Sequence, residues 1–129
     1  MPTLEYFKKM KPGIECFNRQ EYWECHEELE HVWLEDRNDP VRNIYWAIIQ
    51  VAAALIHYRQ NNIIGAQGMI IKAKEKFKRC HEFKVLNADV ESQLDWSLFE
   101  RLSLSIPSEN AVLNDFKELF DFRFKNFKG

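Results

Sequence analysis

Strand-forming signals are almost missing from this sequence. No Asn-Gly or Asp-Gly pair marks a hairpin, and no stretch sustains the alternation of apolar and polar residues that a half-buried strand needs. Glycine and proline are scarce, four of each, which excludes a collagen-like or low-complexity chain. The most apolar stretch, Ile44 to Tyr58, is broken by Gln50 and holds His57. It falls short of the roughly 20 apolar residues of a bilayer span, so no membrane partner is expected. A net charge of −2 gives no electrostatic footprint for a phosphate backbone, and nucleic acid is not an expected partner. Cysteine is limited to Cys16, Cys25 and Cys80, widely spaced and without a Cys-x-x-Cys pair. Met1 to Gly13 carries Lys8, Lys9 and Lys11 with no apolar run behind them and no small-residue cleavage site. A secretory leader is therefore not expected, and the thiols read as unpaired in a reducing cytoplasm.

What is present is helical periodicity. A chain of 129 residues, 46% of them hydrophobic and 14% aromatic, can bury one sizeable core. A short helix is expected around Leu4 to Met10, closed by Pro12-Gly13. Asn18 and Glu21 have capping-box spacing, with Phe17 and Tyr22 placed as a hydrophobic staple, so a helix should run from there to about Glu35. Asn38-Asp39-Pro40 marks the turn that ends it. The next helix, about Val41 to Arg59, is apolar nearly all round and belongs at the centre of a bundle. Ile63, Ala66, Ile70, Ala73, Phe77 and Cys80 then form a seam on a helix from Ile63 to Glu82, in which Gly65 and Gly68 suggest close approach to a neighbouring backbone. A weaker helix buries Leu94, Leu98, Phe99 and Leu102, and Ser108 caps a last one carrying Val112, Phe116, Leu119, Phe120 and Phe124. Residues 1–129 thus read as one compact all-α bundle of about five helices, the one from Val41 to Arg59 central.

Chemistry points to Tyr22–Trp33. At 100° per residue, Tyr22, Cys25, Leu29, Val32 and Trp33 share the apolar side, whereas Glu24, Glu28, His31 and Glu35 face water. His26 and Glu30, at i and i+4, lie on the border, and Glu27 is one step further round. Polar groups beside aromatics need partners. Gln50 and His57, two turns apart on the central helix, can supply them if their stripe faces this one. Two imidazoles and one or two carboxylates suit zinc, iron or manganese, with an open position for a water nucleophile. In that reading His26, Glu30 and His57 are ligands, Glu27 is the general base, and Gln50 and Trp33 contact a small-molecule substrate or support the ligands. The other reading is a non-enzymatic interaction or scaffold module, in which His26 pairs with Glu30 and Gln50 with His57 or a backbone group.

The known metal spacings do not fit the string. Glu30 stands where the second His of His-Glu-x-x-His would be, and Glu28-x-x-His31 faces solvent. Cys25 and Cys80 point away from their sequence-neighbour His and read as inert core thiols. Lys72, Lys74, Lys76, Lys78 and Arg79 crowd one helix and seven carboxylates crowd 21–36, an arrangement that suits a solvated face or pairing between the two. Surplus aromatic surface suits a homo-oligomer.

Phe17-Asn18, Tyr22-Trp23-Glu24-Cys25-His26-Glu27-Glu28-Leu29-Glu30-His31-Val32-Trp33, Ile49-Gln50-Val51-Ala52, His57, Asn62 and Gly65-Ala66 together resemble a bacterial and archaeal family, domain of unknown function 309. The resemblance covers Phe17 to Phe77. It implies an all-helical domain whose pattern includes His26, Glu27, Glu30, Trp33, Gln50 and His57, and members are sometimes labelled predicted metal-dependent hydrolases. Asn61 stands where the family usually has Gly, a replacement that the left-handed conformation of Asn permits. Beyond about Val85 nothing in the string resembles a family.

Overall fold

A computed structural model describes residues 3–35 and 40–129. Among them the secondary structure is helical: α1 (Leu4–Asn18), α2 (Tyr22–Glu35), α3 (Arg42–Arg59), α4 (Ile63–Glu82), α5 (Ala88–Leu94), α6 (Trp96–Leu104), a 3-10 turn (Leu113–Phe116) and α7 (Lys117–Asp121). The all-α class is as expected; the described residues form seven α-helices rather than about five. None of them is long and apolar enough to cross a membrane. The expected turn at Asn38-Asp39 lies outside the described residues.

α3 is central. It packs against α2 on one side and α4 on the other, while α1 lies on α2 and α6 on α4. Ile44, Tyr45, Ile48, Val51, Ala52 and Leu55 are all buried, as an apolar surface all round requires. α2 buries Tyr22, Cys25, Leu29 and Val32 and exposes Glu24, Glu28, His31 and Glu35, the division that its periodicity predicts.

Several local expectations need correction, among them the burial of Leu98, which is 37% exposed. α1 does not stop at Pro12-Gly13 but continues to Asn18. Phe7, Met10, Ile14 and Phe17 keep one buried face across the proline, which sits on the exposed side, and burial of that face outweighs the lost backbone hydrogen bond. Gly13 is needed there, because a Cβ would lie 2.6 Å from the Leu29 side chain. Asn18 ends α1 instead of capping α2. Its amide pairs with the backbone of the C-terminal segment, Nδ2 donating to Phe124 O (3.2 Å) and Oδ1 accepting from Phe124 N (2.7 Å). Ser108 caps no helix; its hydroxyl accepts from Lys74 Nζ at 2.9 Å. Gly68 meets nothing within 4 Å of a built Cβ, so close approach explains Gly65 alone.

The region after Val85 is built into the same core. Phe99, Phe122 and Phe124 surround Phe17 with ring centroids 6.1, 6.5 and 4.9 Å away, and Phe77 meets both Trp96 and Phe99. Phe124 follows α7 in an irregular segment, not in the helix that its spacing suggested. Each such ring removes enough apolar surface from water to be worth about 2–3 kcal/mol before entropy is counted.

Candidate functional site

The hairpin between α3 and α4 positions His57. Asn61 takes the left-handed conformation (φ 58°) that its predicted replacement of Gly requires. Asn62 then caps α4, its Oδ1 accepting from Gly65 N at 3.1 Å. That bond fixes the orientation of the Asn62 amide, so its Nδ2 donates to His57 Nδ1 at 3.1 Å. An Nδ1 that accepts leaves the neutral ring's proton on Nε2, and neither nitrogen then offers a free lone pair. Gly65 makes room for this lock, since a Cβ there would lie 2.7 Å from His57 Nδ1.

On α2, His26 is half-buried and stacks on the exposed Trp23, ring centroids 5.5 Å apart and planes 6° from parallel. Its Nδ1 lies 3.4 Å from Glu30 Oε2, an ion-pair distance without hydrogen-bond geometry. Glu27 is exposed. Trp33 packs its ring 5.3 Å from Trp46 of α3, and its buried Nε1 has no hydrogen-bond partner. Gln50, 7% exposed, leaves Oε1 buried and unpaired, so the expected Gln50–His57 pair is not formed.

The structure thus brings His26 to Glu30, and Trp33 to the stripe that carries Trp46 and Gln50. It does not gather a metal set. Among the described residues no three His, Cys, Asp or Glu side chains come together in a way that could hold an ion. A catalytic zinc keeps three protein ligands; here His26 and Glu30 supply two, and His57 is engaged by Asn62. As placed among the described residues, these side chains do not fit a metal centre.

Lys76 is the residue that the basic-face reading misplaced. It is 6% exposed, and its Nζ lies 3.8 Å from the Trp46 ring centroid. Burial holds its ammonium below the usual lysine range, with Glu75 acting the other way and Arg79 and Lys72 adding to the depression. The Arg42 guanidinium lies over both Trp33 (5.2 Å) and Trp46 (5.8 Å). The signal was available, because Lys76 stands three residues after Ala73 on the seam of α4. Lys74 also turns inward, donating to Ile106 O at 2.6 Å. The remaining members of the basic run stay nearer solvent, and Arg79 pairs with Glu75 on its own helix at 2.8 Å.

A groove of about 880 Å³, lined by His81, Leu86, Trp96, Glu100, Arg101 and Leu104 among others, lies away from these residues, beside α5 and α6. There Glu100 accepts from Trp96 Nε1 at 3.2 Å and pairs with His81 Nε2 at 2.8 Å, tying the end of α4 to α6. The thiols are free and buried. Burial pushes Cys80 up to about 12 and raises Cys25 further, so both are inert core groups as expected.

The family model described as Domain of unknown function (DUF309) matches residues 10–69. The protein described as uncharacterized protein YpuF of Bacillus subtilis (strain 168) is 37% identical over 57 residues. Those residues are 44% of this chain and 33% of that protein, so the match spans about a third of the relative's length. No solved structure matches. The matched span runs from within α1 into α4 and carries His26, Glu30, Trp33, Gln50 and the His57–Asn62 lock, so this part of the chain is similar to the DUF309 family.

Proposed function

We propose that this chain is a ligand-binding helical module rather than a metal-dependent hydrolase, with its site along α3 where α2 and α4 flank it. One observation carries the reading: His26 Nδ1, Trp33 Nε1 and Gln50 Oε1 are buried on α2 and α3 without a hydrogen-bond partner. Each such atom costs about 1–3 kcal/mol, and native proteins keep few of them. A bound ligand can supply the missing partners of such atoms. In this reading Trp33 and Gln50 touch the ligand, as the sequence suggested for them. The His26–Glu30 pair borders the site, the His57–Asn62 lock sets the angle between α3 and α4, and Glu27 has no task.

The test is Gln50→Leu, which removes the unpaired carbonyl and keeps the volume close. A binding amide held unpaired predicts unchanged or higher stability, by up to about 1 kcal/mol, in urea denaturation. A loss of about 1–3 kcal/mol would mark Gln50 as an architectural hydrogen-bonding group and overturn the reading.

A further inference from the structure

The charge at one end of this site identifies the class of ligand. α4 turns two lysines inward, and the structure treats them differently. Lys74 spends its ammonium on Ile106 O (2.6 Å) and Ser108 Oγ (2.9 Å), closing the segment after α6 against α4. Lys76 is more deeply buried, and among the described residues no carboxylate lies within ion-pair distance of it. Its close contact is the face of Trp46, 3.8 Å from Nζ. A ring face offsets part of the cost of burying an ammonium, but it supplies no counter-charge. One turn along α3 from Trp46, on the same face, stands Gln50 with its buried acceptor unmet. Trp33 adds a buried N–H donor from the α2 side.

Resting on the binding reading above, we infer that the ligand is a small oxyanion, a carboxylate or phosphate carrying a hydroxyl or N–H group, whose charge pairs with Lys76 beside Trp46 and whose donor meets Gln50. Lys76 asks for an anion, the Trp33 indole for an acceptor, and Gln50 Oε1 for a donor. A small molecule is favoured because Lys76 and Gln50 as residues are only 6% and 7% exposed, which leaves little surface for a polymer to contact.

The experiment follows the indole N–H resonances of Trp23, Trp33, Trp46 and Trp96 in nitrogen-15 spectra of the full chain at pH 7. Sodium phosphate or sodium glycolate is titrated at constant ionic strength against sodium chloride. The expected result is a saturable shift of Trp33 and Trp46 with at least one of the two anions. Trp96, whose N–H is held by Glu100, and the exposed Trp23 should stay unmoved. Response to phosphate alone identifies a phosphorylated ligand, response to glycolate alone a hydroxy acid. Lys76→Met should weaken the binding at least tenfold, and Lys76→Arg should retain it. If neither anion moves the indoles beyond chloride, or Lys76→Met titrates like the parent chain, the inference is overturned. The wild-type comparison with chloride decides the matter even if Lys76→Met fails to fold. Silent indoles with Gln50→Leu at full stability would sink the anion and leave the binding reading standing; a destabilised Gln50→Leu would remove the reading itself.

Discussion

From α5 to the C-terminus, buried polar groups find partners within the chain, whereas along α2 and α3 several do not. The buried Ser103 hydroxyl donates to Phe99 O at 2.9 Å. Glu100 gathers Trp96 and His81. In α2 and α3, by contrast, Trp33 Nε1 and Gln50 Oε1 are buried without a hydrogen-bond partner, and His26 Nδ1 has only its ion-pair distance to Glu30. Both regions sit on the same hydrophobic core, so poor packing does not explain the difference. A polar group kept for architecture is satisfied on folding; one kept for recognition waits for its partner. The C-terminal region, beyond the matched span, reads as architecture.

The largest expected effect breaks the architectural side. Asn18→Leu removes both hydrogen bonds to Phe124 and leaves a part-buried N–H and C=O without partners. We expect a loss of about 1–3 kcal/mol, read as a lower urea midpoint at unchanged slope. Equal stability would mean that the Phe124 segment is not anchored by Asn18, and the contrast between the two regions would lose its clearest member.

Thiols offer a check on the same contrast, because apolar burial should act alike in both regions. Cys25 belongs to α2, and Cys80 lies near the end of α4, immediately before His81, whose ring pairs with Glu100 of the C-terminal region. Both are raised from an ordinary value of 9.0, chiefly by burial, with Cys80 at about 12. Below pH 9 the thiols are protonated in both states and cost nothing. As pH rises from 9 towards 12 the unfolded chain ionises them and the native chain does not, so the unfolded state is favoured. Each thiol then subtracts about 1.4 kcal/mol per pH unit. Urea midpoints at pH 8, 9.5 and 10.5 should fall, and fall less steeply for Cys80→Ala. A Cys80→Ala curve parallel to that of the parent chain would place this thiol in contact with water.

Much of this was legible in the sequence, for physical reasons that differ from residue to residue. The exposed and buried faces of α2 follow from a period of 3.6 residues, and Asn61 from the few residues that tolerate φ above zero. Asn18 was misread because cap spacing is local, whereas its partner Phe124 lies 106 residues away and reveals nothing of itself in the string. Pro12 reads as a stop on local propensity alone, and the face that Phe7, Met10, Ile14 and Phe17 bury overrides it. At the site, periodicity could place Gln50, His57 and Trp33 on facing stripes, but it could not say which hydrogen bonds their rotamers would make. His57 was thus expected to look towards α2 when Asn62 engages it. Lys76 was passed over because lysine is rarely buried, although its place on the α4 seam was visible.

The smallest effects separate the two glycines of α4, and their signs should be opposite. Neither has a positive φ, so alanine meets no backbone strain at either position. At Gly68 nothing lies within 4 Å of a built Cβ. Gly68→Ala should therefore collect its helix propensity and stabilise by about 0.5–1 kcal/mol. At Gly65 the same atom would lie 2.6 Å from Asn62 Nδ2 and 2.7 Å from His57 Nδ1, the two atoms of the lock. Gly65→Ala gains the same propensity but forces that hydrogen bond apart, and a net loss of about 1 kcal/mol is expected. Thermal unfolding of the pair, with the His57 ring followed by NMR, measures both signs. If Gly65→Ala is as stable as Gly68→Ala and the ring signal is unshifted, His57 is not held by Asn62. An Nδ1 free of that bond would return His57 to the pool of groups that can meet a ligand along α3.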